Sequence, residues 1–160
     1  MSAYVRIFCA SVRPVTRADI AELVAEENLF DSPPVFKPPP GSAEAAVEDW
    51  DKFEIIYDTG KRPVLVERNL KDELLAEEKE EVREALQEVD DEDARADLLA
   101  WLDDCEMVVA FEVDSAGATE QALDMVDYVA AHLAQYLDGF VYEEGGGFYN
   151  GQLEPIYEFE

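Results

Sequence analysis

The sequence predicts an α+β fold, a two-layer sandwich. Its sheet is mixed but mostly antiparallel, with helices on one face and a ferredoxin-like layout carrying extra helices. Three observations lead there. Short runs of β-formers alternate with longer helical periodicities in the order β-α-α-β-β-α-α-β-α-β-β. Hairpin turns occur as well as long crossovers. The chain also echoes itself: Val5, Phe8, Ser11 and Thr16 fall over Val108, Phe111, Asp114 and Thr119 when it is shifted by 103 positions. Both stretches read strand, short loop, threonine-capped helix. A chain of 160 residues suits one domain, 1–160, large enough to bury a core.

The elements follow in order. YVRIFCAS, residues 4–11, reads as a buried strand. In TRADIAELVAEEN, Thr16 caps a helix, Asp19 completes the cap, and Ile20, Leu23 and Val24 share a face. The prolines of DSPPVFKPPPGS, residues 31–42, deny backbone donors, so this stretch reads as a loop or extended connection. Ser42 opens a short helix, AEAAVEDW. FEIIYDTGKRPVLVER, residues 53–68, gives two strands around a turn at Asp58, Thr59 and Gly60, with Pro63 starting the second.

An acidic helical pair covers about 70–105. Its first helix, from about Leu70 to Val89, carries a stripe of Leu75, Val82 and Val89, with Leu74 and Leu86 beside it. Asp90 or Asp91 caps the second, where Ala94, Leu98, Trp101, Leu102 and Cys105 form a core face. MVVAFEVD, residues 107–114, is the next strand. Thr119 caps a helix to about Asp138, lined inward by Ala122, Val126, Val129, Leu133, Tyr136 and Leu137. Gly139 is expected to end it with positive φ. FVYEE, GFY and PIYEFE then read as short strands, with Gly145, Gly146 and Gly147 turning a hairpin.

The search for chemistry yields no catalytic residues, no cofactor and no metal set. The single histidine, His132, sits at the edge of an apolar helix face beside Val129 and Tyr136. It reads as a boundary histidine with its tip in water or hydrogen-bonded. Cys9 and Cys105 lie in apolar segments, lack a CxxC partner, and read as small buried hydrophobes of a cytoplasmic protein. Acids beside Cys105 disfavour its thiolate. DDEDARAD at 90–97 lacks the sixth-position glycine and twelfth-position glutamate of a calcium loop. The glycine triplet leads into aromatic strand formers rather than a helix. The last basic residue is Arg95, so a phosphate cradle does not fit.

Charge is the strongest signal. The formal net charge is −27, from 39 acids and 12 bases. Residues 67–106 alone hold 17 acids and 5 bases. Such a surface repels nucleic acid and anionic membrane, and no apolar run is long enough to span a bilayer. Six aromatics and several glutamates crowd the last twenty-one residues. Tyr157 and Phe159 share the core face. Tyr142 and Tyr149 are the expected exposed pair, and with Glu143 and Glu144 they form a candidate partner-binding edge for lysine or arginine.

KRPVLVER at 61–68 and LDGFVYEEGGGFYNGQLEPIY at 137–157 resemble segments of a widespread group of small, uncharacterised bacterial proteins, with its LDGxxY, GFY and LxPIY ending. The resemblance implies a bacterial origin and carries no activity or site. The leading expectation is a non-enzymatic acidic interaction protein, of immunity or inhibitor type, that binds a basic protein partner. A second is a small-ligand-binding or enzymatic α+β domain with a pocket near the proline-rich loop. A third takes the acidic surface as salt adaptation only.

Overall fold

A computed structural model describes residues 2–27, 30–70 and 73–159. Strands β1 (Ser2–Cys9), β2 (Val35–Lys37), β3 (Lys52–Ile56), β4 (Val64–Leu70), β5 (Met107–Asp114), β6 (Gly139–Glu143), β7 (Gly147–Tyr149) and β8 (Pro155–Glu158) belong to one sheet. Helices α1 (Arg17–Glu27), α2 (Glu73–Leu86), α3 (Glu92–Asp104) and α4 (Glu120–Tyr136) separate them. The strand order is β2-β3-β4-β5-β1-β6-β7-β8. Its centre, β4-β5-β1-β6, is the order of a ferredoxin-like βαββαβ unit, confirming the α+β class. The α2–α3 pair is inserted between β4 and β5, β2–β3 extends one edge, and β7–β8 extends the other. The two echoing segments are β1–α1 and β5–α4, and their strands are the adjacent central pair.

The residues gather into two compact units. The first comprises 1–5, 13–68 and 110–129, and the second 6–12, 69–109 and 130–160. The chain passes between them inside β1, β4, β5 and α4 and again after Val12, while the proline-rich stretch lies wholly in the first.

In the first unit, β2, β3 and β4 form an antiparallel meander with Phe36 opposite Ile55 and Phe53 opposite Val66. Phe36 and Phe53 stack at 5.7 Å. Thr16 and Asp19 close a capping box on α1. The Thr16 N–H donates to Asp19 Oδ2 at 2.9 Å and the Asp19 N–H to Thr16 Oγ1 at 3.1 Å. Residues 31–42, expected as a loop or extended connection, contain the short strand β2. An edge strand needs donors on one side only, so Pro34 and Pro38 can flank it. The expected AEAAVEDW helix shrinks to a single 3₁₀ turn over Glu44–Ala46. Arg68 engages the Glu48 and Trp50 carbonyls at 3.0 and 2.9 Å, holding that backbone out of a helix.

In the second unit, β6, β7 and β8 form an antiparallel meander. Phe8, Val108, Phe140, Tyr142 and Phe148 share a core with Leu75, Val82, Leu86 and Val89 of the α2 segment. Leu98 and Leu102 of α3 join them, so the α2–α3 pair packs on this strand face. The alternate residues Ile7, Cys9, Val109 and Val141 are also fully buried. Burying ten or more large side chains this way supplies roughly 1.5–3 kcal/mol each before conformational entropy is charged against it. Helix α2 is shorter than expected because β4 continues to Leu70, and residues 71–72 of the expected helix lie outside the described residues. Asp91 caps α3 by accepting from the Ala94 N–H at 3.1 Å. Leu74, Trp101 and Tyr136, all expected on core faces, are exposed. Each flanks its helix's apolar stripe by enough rotation to leave the core. No helix of the described residues is long and apolar enough to cross a membrane.

Candidate functional site

The segment expected to form a recognition edge is a hairpin, but its side chains are placed differently from the expectation. Glu143 pairs with Gly147, and the Gly146 N–H donates to the Glu143 carbonyl at 2.9 Å. Gly145 takes φ 79°, so the triplet does turn the β6–β7 hairpin. Tyr142, however, is not exposed. Strand alternation places it beside Phe140 on the face that α2–α3 cover, where it stacks on Phe148 at 4.7 Å with 6% of its surface exposed. Burial pushes its phenol above the ordinary value, Glu144 adds to this, and Arg6 opposes it. Tyr149 is half-buried and its hydroxyl donates to Glu158 at 3.4 Å. Glu143 is half-buried and Glu144 is exposed. Of the four expected residues, only Glu144 stands fully outward.

Glu144 is also not isolated. Arg6 on β1 is 8% exposed and faces three carboxylates: Glu78 at 3.7 Å, Glu81 at 3.4 Å and Glu144 at 3.8 Å. One guanidinium thus joins β1, α2 and the β6–β7 turn within the second unit. Gly139 likewise has a role the sequence mislocates. Positive φ belongs to Asp138 (51°), and Gly139 is needed because a Cβ there would meet the Phe8 carbonyl.

The second unit also holds a cleft of about 320 Å³ that no single sequence segment announces. Trp101, Phe140 and Ile156 are among its apolar lining residues, and Asp104, Asp138 and Asn150 among its polar ones. Trp101 is 45% exposed and lies 6.5 Å from Phe140 between ring centroids. Asp104 follows Trp101 by three residues, so both project from the same side of α3. The Asn150 amide donates to Glu154 at 3.2 Å, and its oxygen accepts from the Gln152 and Glu154 N–H groups. Cys105, which also lines the cleft, donates its thiol hydrogen to the Trp101 carbonyl at 3.2 Å. The lining therefore offers carboxylate acceptors beside an exposed indole.

The acids on the α2–α3 pair face outward around the buried stripe. Glu73, Glu77, Glu84, Glu88, Asp93 and Asp97 are all exposed. Few cations oppose them. Arg83 bridges Glu80 and Asp103 at 3.4 and 3.1 Å, and Arg95 donates to the Val89 carbonyl at 3.3 Å. Asp90 accepts from the Tyr157 hydroxyl at 2.9 Å.

Both cysteines are buried and unpaired. Burial, aided by Cys105, pushes the Cys9 thiol far up. Burial raises Cys105 to about 12, Lys79 opposing and Asp104 assisting. Both shifts run against thiolate formation, the wrong direction for a nucleophile. His132 is exposed on α4. No group of three or more His, Cys, Asp or Glu among the described residues is placed to hold a metal ion.

The first unit has a separate cleft of about 380 Å³ beside the proline-rich stretch, lined by Phe30, Asp31, Ser32, Pro33, Tyr57 and Thr119 among others. Burial raises the Tyr57 phenol, a hydrogen bond to the Thr119 backbone lowers it, and Asp114 and Asp58 raise it further. No protein family, curated protein or solved structure matches the chain.

Proposed function

We propose that this is a non-enzymatic, cytoplasmic interaction protein of inhibitor or immunity type, which binds a basic protein partner through the second unit. One observation carries the reading: residues 67–106 put 17 acids against 5 bases, and the fold turns its apolar stripes inward and leaves most of the described acids exposed. A field of that sign steers a cationic protein and rejects nucleic acid and anionic membrane. The two buried, unpaired thiols fit a reducing compartment.

Hydrogen exchange on the complex with a small basic protein tests this. Salt-sensitive binding with protection over α2, α3 and the β6–β7 turn supports it. Failure to bind at low ionic strength, or protection confined to the first unit, overturns it. The cleft beside the proline-rich stretch favours a second reading, a small-ligand domain. Under that reading protection by a small ligand appears around Tyr57 and Thr119 instead.

A further inference from the structure

We propose that the Trp101 cleft is the anchor site for an arginine side chain of that basic partner. The inference rests on the basic-partner reading and assigns it a specific point of contact. Trp50, the other tryptophan, is buried, with its indole N–H on the Val15 carbonyl at 2.6 Å. Trp101 instead holds a large aromatic face in water at the end of an acidic helix. A guanidinium is planar, weakly hydrated and stacks on indole, while its fork of donors suits carboxylates. Asp104 and Asp138 supply those acceptors in the cleft lining. The competing side-chain donors, Cys105 and Asn150, are committed to Trp101 and Glu154. Among the described residues no lysine or arginine lines the cleft.

The backbone at Asp138 points the same way. It holds φ 51°, a conformation that aspartate as well as glycine adopts, and the residue there lines the cleft. Hydrogen bonds from the Ala10 N–H to the Asp138 carbonyl and from the Ser11 N–H to the Leu137 carbonyl fix this turn at 3.4 and 3.0 Å. Other occupants fit poorly. A second copy of the chain brings another −27 charges, and a phosphate-bearing ligand meets two aspartates and no cation among the described residues. A neutral apolar ligand brings no cation to offset the desolvation of Asp104.

The test titrates oligo-arginine and oligo-lysine peptides of equal length into the wild type, Trp101→Ala, and the Asp104→Asn/Asp138→Asn double variant, following tryptophan emission and calorimetric heat. Asparagine tolerates the left-handed backbone at 138, so the double variant keeps the fold testable if Trp101→Ala does not. The wild type is expected to bind oligo-arginine about tenfold tighter than oligo-lysine, with a change in Trp101 emission. Both variants are expected to lose that preference while still binding both peptides at low ionic strength. Equal affinity for the two peptides in the wild type, or an arginine preference that survives both variants, overturns the anchor and leaves the acidic-surface reading standing. Failure of either peptide to bind any form at low ionic strength overturns both.

Discussion

At Gly139 the backbone of β6 passes so close to β1 that a Cβ would sit on the Phe8 carbonyl. Neither side can yield without breaking the central strand pairing. Gly139→Ala is therefore expected to destabilise the fold by about 1–3 kcal/mol in urea unfolding, whereas Gly41→Ala, with open space around it, is expected to be neutral. Equal midpoints for the two variants would remove this explanation. Cys105 offers a second residue-level test. Its folded value of about 12 lies above its ordinary 9.0 because it is buried. Its stabilising contribution is then complete below pH about 9 and is lost as pH rises from about 9 through about 12. The folding constant of the wild type should fall more steeply over that window than that of Cys105→Ala, and parallel curves would contradict it. Local chemistry of this kind was readable in the sequence where partners are near in the chain. The Thr16–Asp19 box, the Asp91 cap and the glycine hairpin all form as expected. Tyr142 was misassigned because its burial depends on α2 and α3, whose core residues from Leu75 to Leu102 lie 67 to 40 residues away in the chain.

Among the elements, α2 is held by both faces of its chemistry. Its stripe enters the core, and Arg6 draws Glu78 and Glu81 toward β1 along with Glu144 of the β6–β7 turn. Arg6→Met keeps the bulk but leaves three carboxylates facing one another without a cation. A loss of about 2 kcal/mol is expected, smaller than for a fully buried pair because Glu81 and Glu144 reach solvent. Hydrogen exchange should show α2 loosening before α1. A variant as stable as the wild type would show that Arg6 is dispensable. Element identity was largely legible, since apolar periodicity survives the acidic composition. The echo at 103 positions located the two βα units whose strands lie adjacent at the sheet centre. Strand β2 was not legible, because its three residues sit among prolines and pair only on one edge.

For the whole molecule, charge sets the behaviour. Self-repulsion among 39 acids should make stability rise with salt at low concentration and level off by about 0.5 M, where screening is nearly complete. A melting temperature that keeps climbing into molar salt would favour salt adaptation as the reason for the composition. The sequence announces this charge directly. It does not announce the Trp101 cleft, whose walls come from residues 10, 101, 104–105, 138–140, 150 and 156. Only tertiary folding brings those stretches together, so no local motif marks the site. The central claim, that the acidic second unit receives a basic partner, is tested most directly by calorimetric titration of the wild type with an arginine-rich peptide at ionic strengths of about 0.01 M and 1 M. The account predicts saturable binding at the lower value, weakened at least about tenfold at the higher. No binding at about 0.01 M, or affinity unchanged between the two conditions, would contradict it.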